Sequence, residues 1–367
     1  TTDYYQIDPS FGTTEDLKEL VQKAHERGMK VVLDAVYNHT GREFFAFADI
    51  LENGEKSKYR DWYFIDGFPL KSEWGEIPNF KCFGYYGGMP KLNLKNPEVE
   101  KYITDVACYW IKECDIDGWR LDVGDEISHF FWKNFRKAVK AVKKDMLIIG
   151  EIWHYAGDFL EGDEWDTVMN YPFYLNLIDL LADEKITVSQ FVQNLGYLKG
   201  RLHKNCYPLM WNLIDSHDTA RFLHLCNDNK KKQHLAAAFQ LLLPGMPMIY
   251  YGDEYAMPGA NDPDCRRGMY WDEEYQDKEM YEWYKRLIQV RKSHACIVEG
   301  ELAGSVTEDE EGTIVLIRKN GEETIAMIFN CSSSAKKFNE YTQKYNLLTE
   351  NTFDGNVEGF DAAVIVL

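Results

Sequence analysis

The hydrophobic pattern changes period along the chain. After Thr13, which reads as an N-cap, Leu17, Leu20, Val21 and Ala24 recur at i, i+3, i+4 and i+7 up to Gly28, and this predicts a helix. Met29-Lys30-Val31-Val32-Leu33-Asp34 follows at once as a short buried strand. Asn96-Pro97 opens a second helix, with proline at its first position, that runs to about residue 113. A strand then ends at Asp122, a helix covers about 128–144, and Met146-Leu147-Ile148-Ile149-Gly150 predicts a strand before Glu151. The alternation continues through a strand at 166–170, helices to about 200, a strand at Leu213-Ile214 and the apolar run 246–251. A helix from about Lys278 to Ser293 closes the layer. Helix and strand in turn are the signature of an α/β fold. Six parallel strands are counted this way. A closed barrel needs eight, and six could equally make an open doubly wound sheet.

Two stretches break the rhythm. Residues 40–95 are loop-rich and crowded with aromatic residues, among them Phe44, Phe47, Trp62, Trp74, Phe83 and Tyr85. A structureless loop of that length is improbable, so the stretch predicts an inserted subdomain. Beyond about 297 the runs 313–318, 324–330 and 362–367 are β-rich, with turn signals at Asn320-Gly321 and Asp354-Gly355. The expected organisation is a first part of the α/β layer over 1–39, the insert over 40–95, the rest of that layer over 96–296, and an antiparallel β domain over 297–367.

Composition narrows the partners. The formal net charge of the 367 residues is −19, and no basic patch stands out, so nucleic acid is not an expected partner. The most apolar run, 235–251, is broken by Gln240, Pro244 and Pro247, so no membrane span is expected. Aromatic content of 14% suits a ligand cleft as well as a packed core. The eight cysteines form no C-x-x-C pair, which favours reduced thiols in a cytoplasmic protein over disulfides or a zinc ribbon.

The chemistry lies at the strand ends. Asp122, Glu151 and Asp218 are acidic residues placed where short buried strands should open into loops, the position at which an α/β barrel keeps its catalytic groups. Two such carboxylates suffice for glycoside hydrolysis, and a third can grip the sugar. Each alone could be a structural ion pair.

The segments Asp34-Ala35-Val36-Tyr37-Asn38-His39, Gly118-Trp119-Arg120-Leu121-Asp122, Gly150-Glu151-Ile152-Trp153 and Asp215-Ser216-His217-Asp218 resemble, in order, the four sequence regions of the α-amylase superfamily. Met89-Pro90-Lys91-Leu92-Asn93 is similar to the fifth region of its neopullulanase, cyclomaltodextrinase and maltogenic amylase subgroup, and 261–266 also resembles that subgroup. The resemblance implies a (β/α)8 TIM barrel with an insert after strand three and a C-terminal antiparallel β-sandwich. Asp34 would end strand three, so barrel strands one and two and the subgroup's amino-terminal domain would be missing from this chain.

The resemblance also implies roles. Asp122 would be the nucleophile, Glu151 the acid/base and Asp218 the third carboxylate. Arg120 would keep Asp122 ionised and oriented. His39 and His217 would bind sugar hydroxyls, and Trp153 would form a sugar wall unless it is plain packing. Tyr171, Asp262 and Arg266 are candidates for contacts along the donor subsites. Asp34 and Asn38 would brace the site from behind, and Lys91 is expected to be structural. Asp125 and Glu126 read as the solvated start of the next helix rather than as acceptor contacts. In calcium-dependent relatives the Asn of the first region is a calcium ligand, but no calcium loop stands out here, so no cofactor is expected. The expected activity is retaining hydrolysis of α-1,4-glucosidic bonds, with α-1,6 bonds as a second target, in maltodextrins, cyclodextrins, pullulan or starch, by a protein that pairs as a homodimer at full length. The alternatives are an oligo-1,6-glucosidase or glucosyltransferase of the same superfamily, and a catalytically silent binding or assembly protein.

Overall fold

The structure, a computed structural model, describes residues 1–71, 77–203 and 205–367; Trp74 lies outside the described residues. The chain divides into two compact units, one of residues 1–152 and 156–168, the other of 153–155 and 169–367.

The first unit is built on a four-stranded parallel sheet in the order β1 (Val32–Ala35), β2 (Gly118–Leu121), β3 (Leu147–Gly150) and β4 (Thr167–Val168). Helices α1 (Thr14–Glu26), α3 (Pro97–Cys114) and α4 (His129–Val142) follow the expected alternation. Thr13 caps α1 in a capping box with Asp16, and Asn96 caps α3 ahead of its first-turn proline. Beneath β2, Asp117 accepts hydrogen bonds from the Val31 N–H (2.9 Å), Lys30 (3.2 Å) and Lys143 (3.0 Å), and pairs with His25 (2.7 Å). Burial alone would raise its carboxyl, but these donors hold it well below the usual carboxylate range. The stretch 40–95 carries α2 (Phe45–Asn53), short 3-10 turns and isolated bridges. It is organised around an aromatic cluster in which Phe47 packs edge-on to Tyr63 (5.0 Å) and tilts against Phe80 (5.2 Å).

The second unit holds α5 (Tyr171–Leu181), α6 (Val188–Arg201), α7 (Phe222–Leu225), α8 (Lys230–Leu242), α9 (Lys278–Ser293) and α10 (Ala295–Glu299), with the parallel pair β5 (Trp211–Asn212) and β6 (Met246–Pro247). The apolar run 246–251 thus yields a strand of two residues, and the remainder leads into the turn at Tyr251–Gly252. A six-stranded antiparallel sheet completes the unit, in the order β12 (Asn351–Thr352), β11 (Tyr345–Asn346), β14 (Asp361–Val366), β9 (Glu323–Asn330), β8 (Thr313–Asn320) and β7 (Glu301–Glu308). Strand alternation sorts its two faces. Ile314, Leu316, Met327, Phe329 and Val364 pack on the helices, with Phe329 stacked on Phe239 of α8 at 4.3 Å. Val315, Ala326, Ile328, Ala363 and Ile365 face Phe338, Phe353 and Val357, around the small sheet of β10 (Lys336–Lys337) and β13 (Asn356–Val357). Both faces are covered, which is why these strands read as continuous apolar runs. Among the described residues, six parallel strands occur, all eight cysteines are free thiols, and no helix is long and apolar enough to cross a membrane.

Candidate active site

In the first unit, parallel register sets Asp34 of β1 beside Arg120 of β2. Two residues along a strand return to the same side, so Arg120 and Asp122 point together. The Arg120 guanidinium gathers three carboxylates: Nη1 lies 3.0 Å from Asp34 and 2.9 Å from Asp122, and Nη2 lies 2.9 Å from Glu151. Despite its burial, the surrounding carboxylates hold Arg120 firmly protonated. Asp122 responds differently from expectation. Burial, and then the charge of Asp34, push its carboxyl up to about 6 against the pull of Arg120. One cation shared among three anions cannot hold Asp122 at an ordinary carboxylate value.

Val123, directly after Asp122, has φ 48° and ψ 42°, a left-handed conformation that costs a β-branched residue energy. The turn aims its backbone N–H at Glu151 Oε2, 3.0 Å away. Gly150, before Glu151, leaves room for the Trp165 ring, which would lie 2.2 Å from any added Cβ. His39 is buried and stacked flat on Phe83 (5.1 Å, 4°), and burial pushes its imidazole down to about 4, so it is neutral in ordinary buffers.

Glu126 departs from expectation. It sits in a 3-10 turn, Gly124–Glu126, ahead of α4, and its carboxylate binds Lys91 Nζ at 2.6 Å and accepts from Asn38 Nδ2 at 3.3 Å. It is therefore a tie to the insert, not a solvated helix start. The same geometry tests the calcium reading. Asn38 turns its amide nitrogen toward Glu126 and leaves its buried Oδ1 without a hydrogen-bond partner, and a lysine ammonium already neutralises the Glu126 carboxylate. Among the described residues, no group of three or more His, Cys, Asp or Glu side chains is placed to hold a metal.

In the second unit, Trp153 stacks on Tyr171 at 3.9 Å and 14°, with 40% of Trp153 exposed. Tyr171 is fully buried and its hydroxyl meets Ser216 Oγ at 3.2 Å. In this arrangement it backs the Trp153 ring. His217 Nε2 lies 3.1 Å from Asp218, and Arg266 bridges Asp218 (3.0 Å) and Asp262 (2.7 Å). Asp218 also receives its backbone order from Ser216, whose Oγ accepts the Asp218 N–H at 3.2 Å.

Under this loop lies a cluster that pattern reading missed. Arg221 is fully buried, donates to Tyr251 O (2.9 Å), pairs with Asp253 (3.2 Å) and lies over the Tyr250 ring (4.3 Å). Asp215 is also buried and accepts the Phe222 N–H at 2.7 Å. Burial pushes both carboxyls up, that of Asp253 furthest, because Asp215 adds its charge. Asp215 Oδ1 and Asp253 Oδ2 find no donor in their surroundings. A proton shared between the two acids would supply one and would leave a single negative charge opposite Arg221. The signal was present as charged residues inside apolar runs, at Arg221 and at Asp253 after Tyr250-Tyr251. Nothing in a linear pattern reveals that they meet.

Comparison with known proteins places the chain. The family model "Alpha amylase, catalytic domain" matches residues 1–276. A protein named cyclomaltodextrinase from Geobacillus thermopakistaniensis (strain MAS1) is 47% identical over 335 residues, covering 91% of this chain and 57% of that protein. Neopullulanase 2 from Thermoactinomyces vulgaris is 43% identical over 331 residues, 90% of this chain and 56% of that protein. A solved structure described as cyclomaltodextrinase superposes with a TM-score of 0.94 at 39% identity, covering 100% of this chain and 65% of that one. The chain thus spans between half and two thirds of the length of these relatives. Its fold class is that of the family, a TIM-barrel catalytic domain followed by a C-terminal β-sandwich. The chain belongs to the α-amylase family.

Proposed function

We propose that the protein carrying this chain is a retaining glycoside hydrolase that cleaves α-1,4-glucosidic bonds, and also α-1,6 bonds, in cyclodextrins, maltodextrins, pullulan or starch. The observation that carries the reading is the Arg120 cluster, in which Asp122 and Glu151 each grip a nitrogen of one guanidinium at 2.9 Å. Two carboxylates gathered on one guanidinium suit the closer pairing of retaining enzymes, ~5–5.5 Å, better than the ~6.5–9.5 Å at which inverting enzymes place a water between them. In the first step the Asp122 carboxylate attacks the anomeric carbon while the glycosidic C–O bond breaks and the Glu151 carboxyl gives its proton to the leaving oxygen. In the second step ionised Glu151 takes a proton from water, the oxygen of which attacks the same carbon and frees Asp122. Neutral His39 suits a hydrogen bond to a sugar hydroxyl, since it brings no charge.

Asp218 and His217 fill the family's third-carboxylate and sugar-binding positions in this reading, Trp153 offers a flat sugar wall, and Asp262 sets Arg266 beside Asp218. In the family's frame β1 is the third barrel strand and 40–95 the insert after it. No cofactor takes part. The full-length enzyme is a cytoplasmic homodimer, a point that light scattering checks. The names of the relatives support cyclodextrin and pullulan as substrates over an exclusively 1,6-linked or transfer specificity. Product analysis of the full-length protein on β-cyclodextrin, pullulan and soluble starch tests the reading. Cyclodextrin opened faster than starch, panose from pullulan and products released with retained anomeric configuration are expected. No hydrolysis of any of the three, or products of inverted configuration, overturns the reading.

A further inference from the structure

Trp153, Tyr155, Asp179, Asn194, Tyr197 and Arg201 line a cavity of about 430 Å³ that the proposed chemistry does not use beyond Trp153. Its far wall is unlike an ordinary helix surface. Tyr197 of α6 is 67% exposed. The Arg201 guanidinium lies 4.0 Å from the centre of the Tyr155 ring and 5.2 Å from that of Tyr197, so it holds both rings by cation–π contact. The Tyr155 hydroxyl is fixed as well, donating to Arg201 O at 2.8 Å. Aromatic side chains normally lose orientational freedom when a ligand settles on them, and here that ordering is already made. Between the rings and the helix α5 stand polar groups suited to hydroxyls. Asn194 is set by a 2.8 Å hydrogen bond to Asn176, and Asp179 is partly exposed.

We propose that this cavity is a second glucan-binding site, taking one or two glucose units of a chain whose scissile bond lies elsewhere. The inference rests on the α-glucan reading above and deepens it. The occupant follows from the lining. Flat, fixed rings offer faces to the C–H side of a pyranose, while amide and carboxylate groups take its hydroxyls. An apolar partner helix would suit Leu175, Leu195 and Leu198 of the same lining but would take the partly exposed Asp179 carboxylate out of water with only a 3.8 Å ion pair to Lys185. An anionic ligand would meet the Asp179 carboxylate, and the Arg201 guanidinium is already engaged by two rings. A neutral, polyhydroxylated chain matches both features. Position along the chain agrees: Trp153, the proposed sugar wall, is two residues after Glu151, and Tyr155 follows two residues later. A glucan that passes Trp153 needs only a few more sugars to reach these rings.

The test uses the full-length protein with Tyr197→Ala and Tyr197→Trp, substitutions at an exposed site outside the proposed catalytic groups. Tyr197→Ala should raise KM for soluble starch about three- to tenfold, the scale of one lost ring contact. It should leave kcat, and KM for maltotriose, unchanged, and Tyr197→Trp should restore the starch KM. Equal effects on starch and maltotriose, or none on starch, overturn the proposal. A maltoheptaose titration in the Asp122→Asn background, followed by tryptophan fluorescence, separates this idea from the hydrolase reading. Weaker binding in the Tyr197→Ala form supports the site even if no glucan is hydrolysed, and unchanged binding refutes it even if all are.

Discussion

Replacing Asp122 by Asn should make the protein more stable at pH 8 while abolishing its activity. Three carboxylates share Arg120, whose side chain is 11% exposed, and Asp122 is itself 21% exposed. Its carboxyl is raised from the usual 3.8 to about 6, with burial as the largest cause and the Asp34 charge next. A raised value means that the folded state binds the proton more tightly than the unfolded chain does. The associated stability is complete below 3.8 and is lost as pH rises through about 6. Roughly two pKa units correspond to about 3 kcal/mol of folding free energy missing at pH 8. Asn keeps the shape and an acceptor for Arg120 but removes the charge, and Asp34 and Glu151 still neutralise the guanidinium. A gain of about 1–3 kcal/mol at pH 8 is expected, a rise of a few degrees in Tm, shrinking toward zero by about pH 4. Calorimetry of both forms between pH 4.5 and 8 measures it. The reasoning fails if the variant is less stable at pH 8, which would mean that the Arg120–Asp122 bond outweighs desolvation and repulsion. It also fails if the difference does not change with pH.

Three further outcomes follow from other clusters. Asp117 is depressed by its donors, so its contribution is present above pH 3.8 and lost as pH falls through its lowered value; Asp117→Asn should cost about 2–4 kcal/mol at pH 7 with kcat unchanged, as read by urea unfolding and initial rates. Asp253→Asn should stay within about 1 kcal/mol of the parent, because the amide can donate where the shared proton does, whereas Asp253→Ala should cost about 2–4 kcal/mol; a loss above 3 kcal/mol in the Asn form would show that both acids are ionised. Dialysis against EDTA should leave Tm and kcat unchanged, since Lys91 already occupies the carboxylate of Glu126; a fall in either that calcium restores would refute this.

The sequence made the periodic elements legible because local physics decides them. Thr13, Asn96-Pro97 and Gly28 mark helix ends by caps and backbone freedom, and the C-terminal strands alternate against two covered faces. Strand lengths near the site were less legible. The run 246–251 has the composition of a strand, yet pairing lasts two residues before the chain turns to place Asp253 against Arg221. Asp122, Glu151 and Arg120 could be named because strand period and the family's motifs agree on them. The state of Asp122 could not, since it depends first on burial and then on Asp34, which is distant in sequence and brought beside Arg120 by parallel register. Tyr171 shows the same limit. The family resemblance marks it as near the site, but only packing reveals that it lies buried under Trp153.

The central claim is that Asp122 is the nucleophile of a retaining hydrolase. The direct measurement is to treat the full-length enzyme with 5-fluoro-α-maltosyl fluoride, digest it at low pH and find the modified peptide by mass spectrometry. The account predicts a 5-fluoromaltosyl ester on Asp122 that decays on adding an acceptor sugar. A label on Glu151 or Asp218, or turnover of the reagent with no covalent adduct, would contradict it.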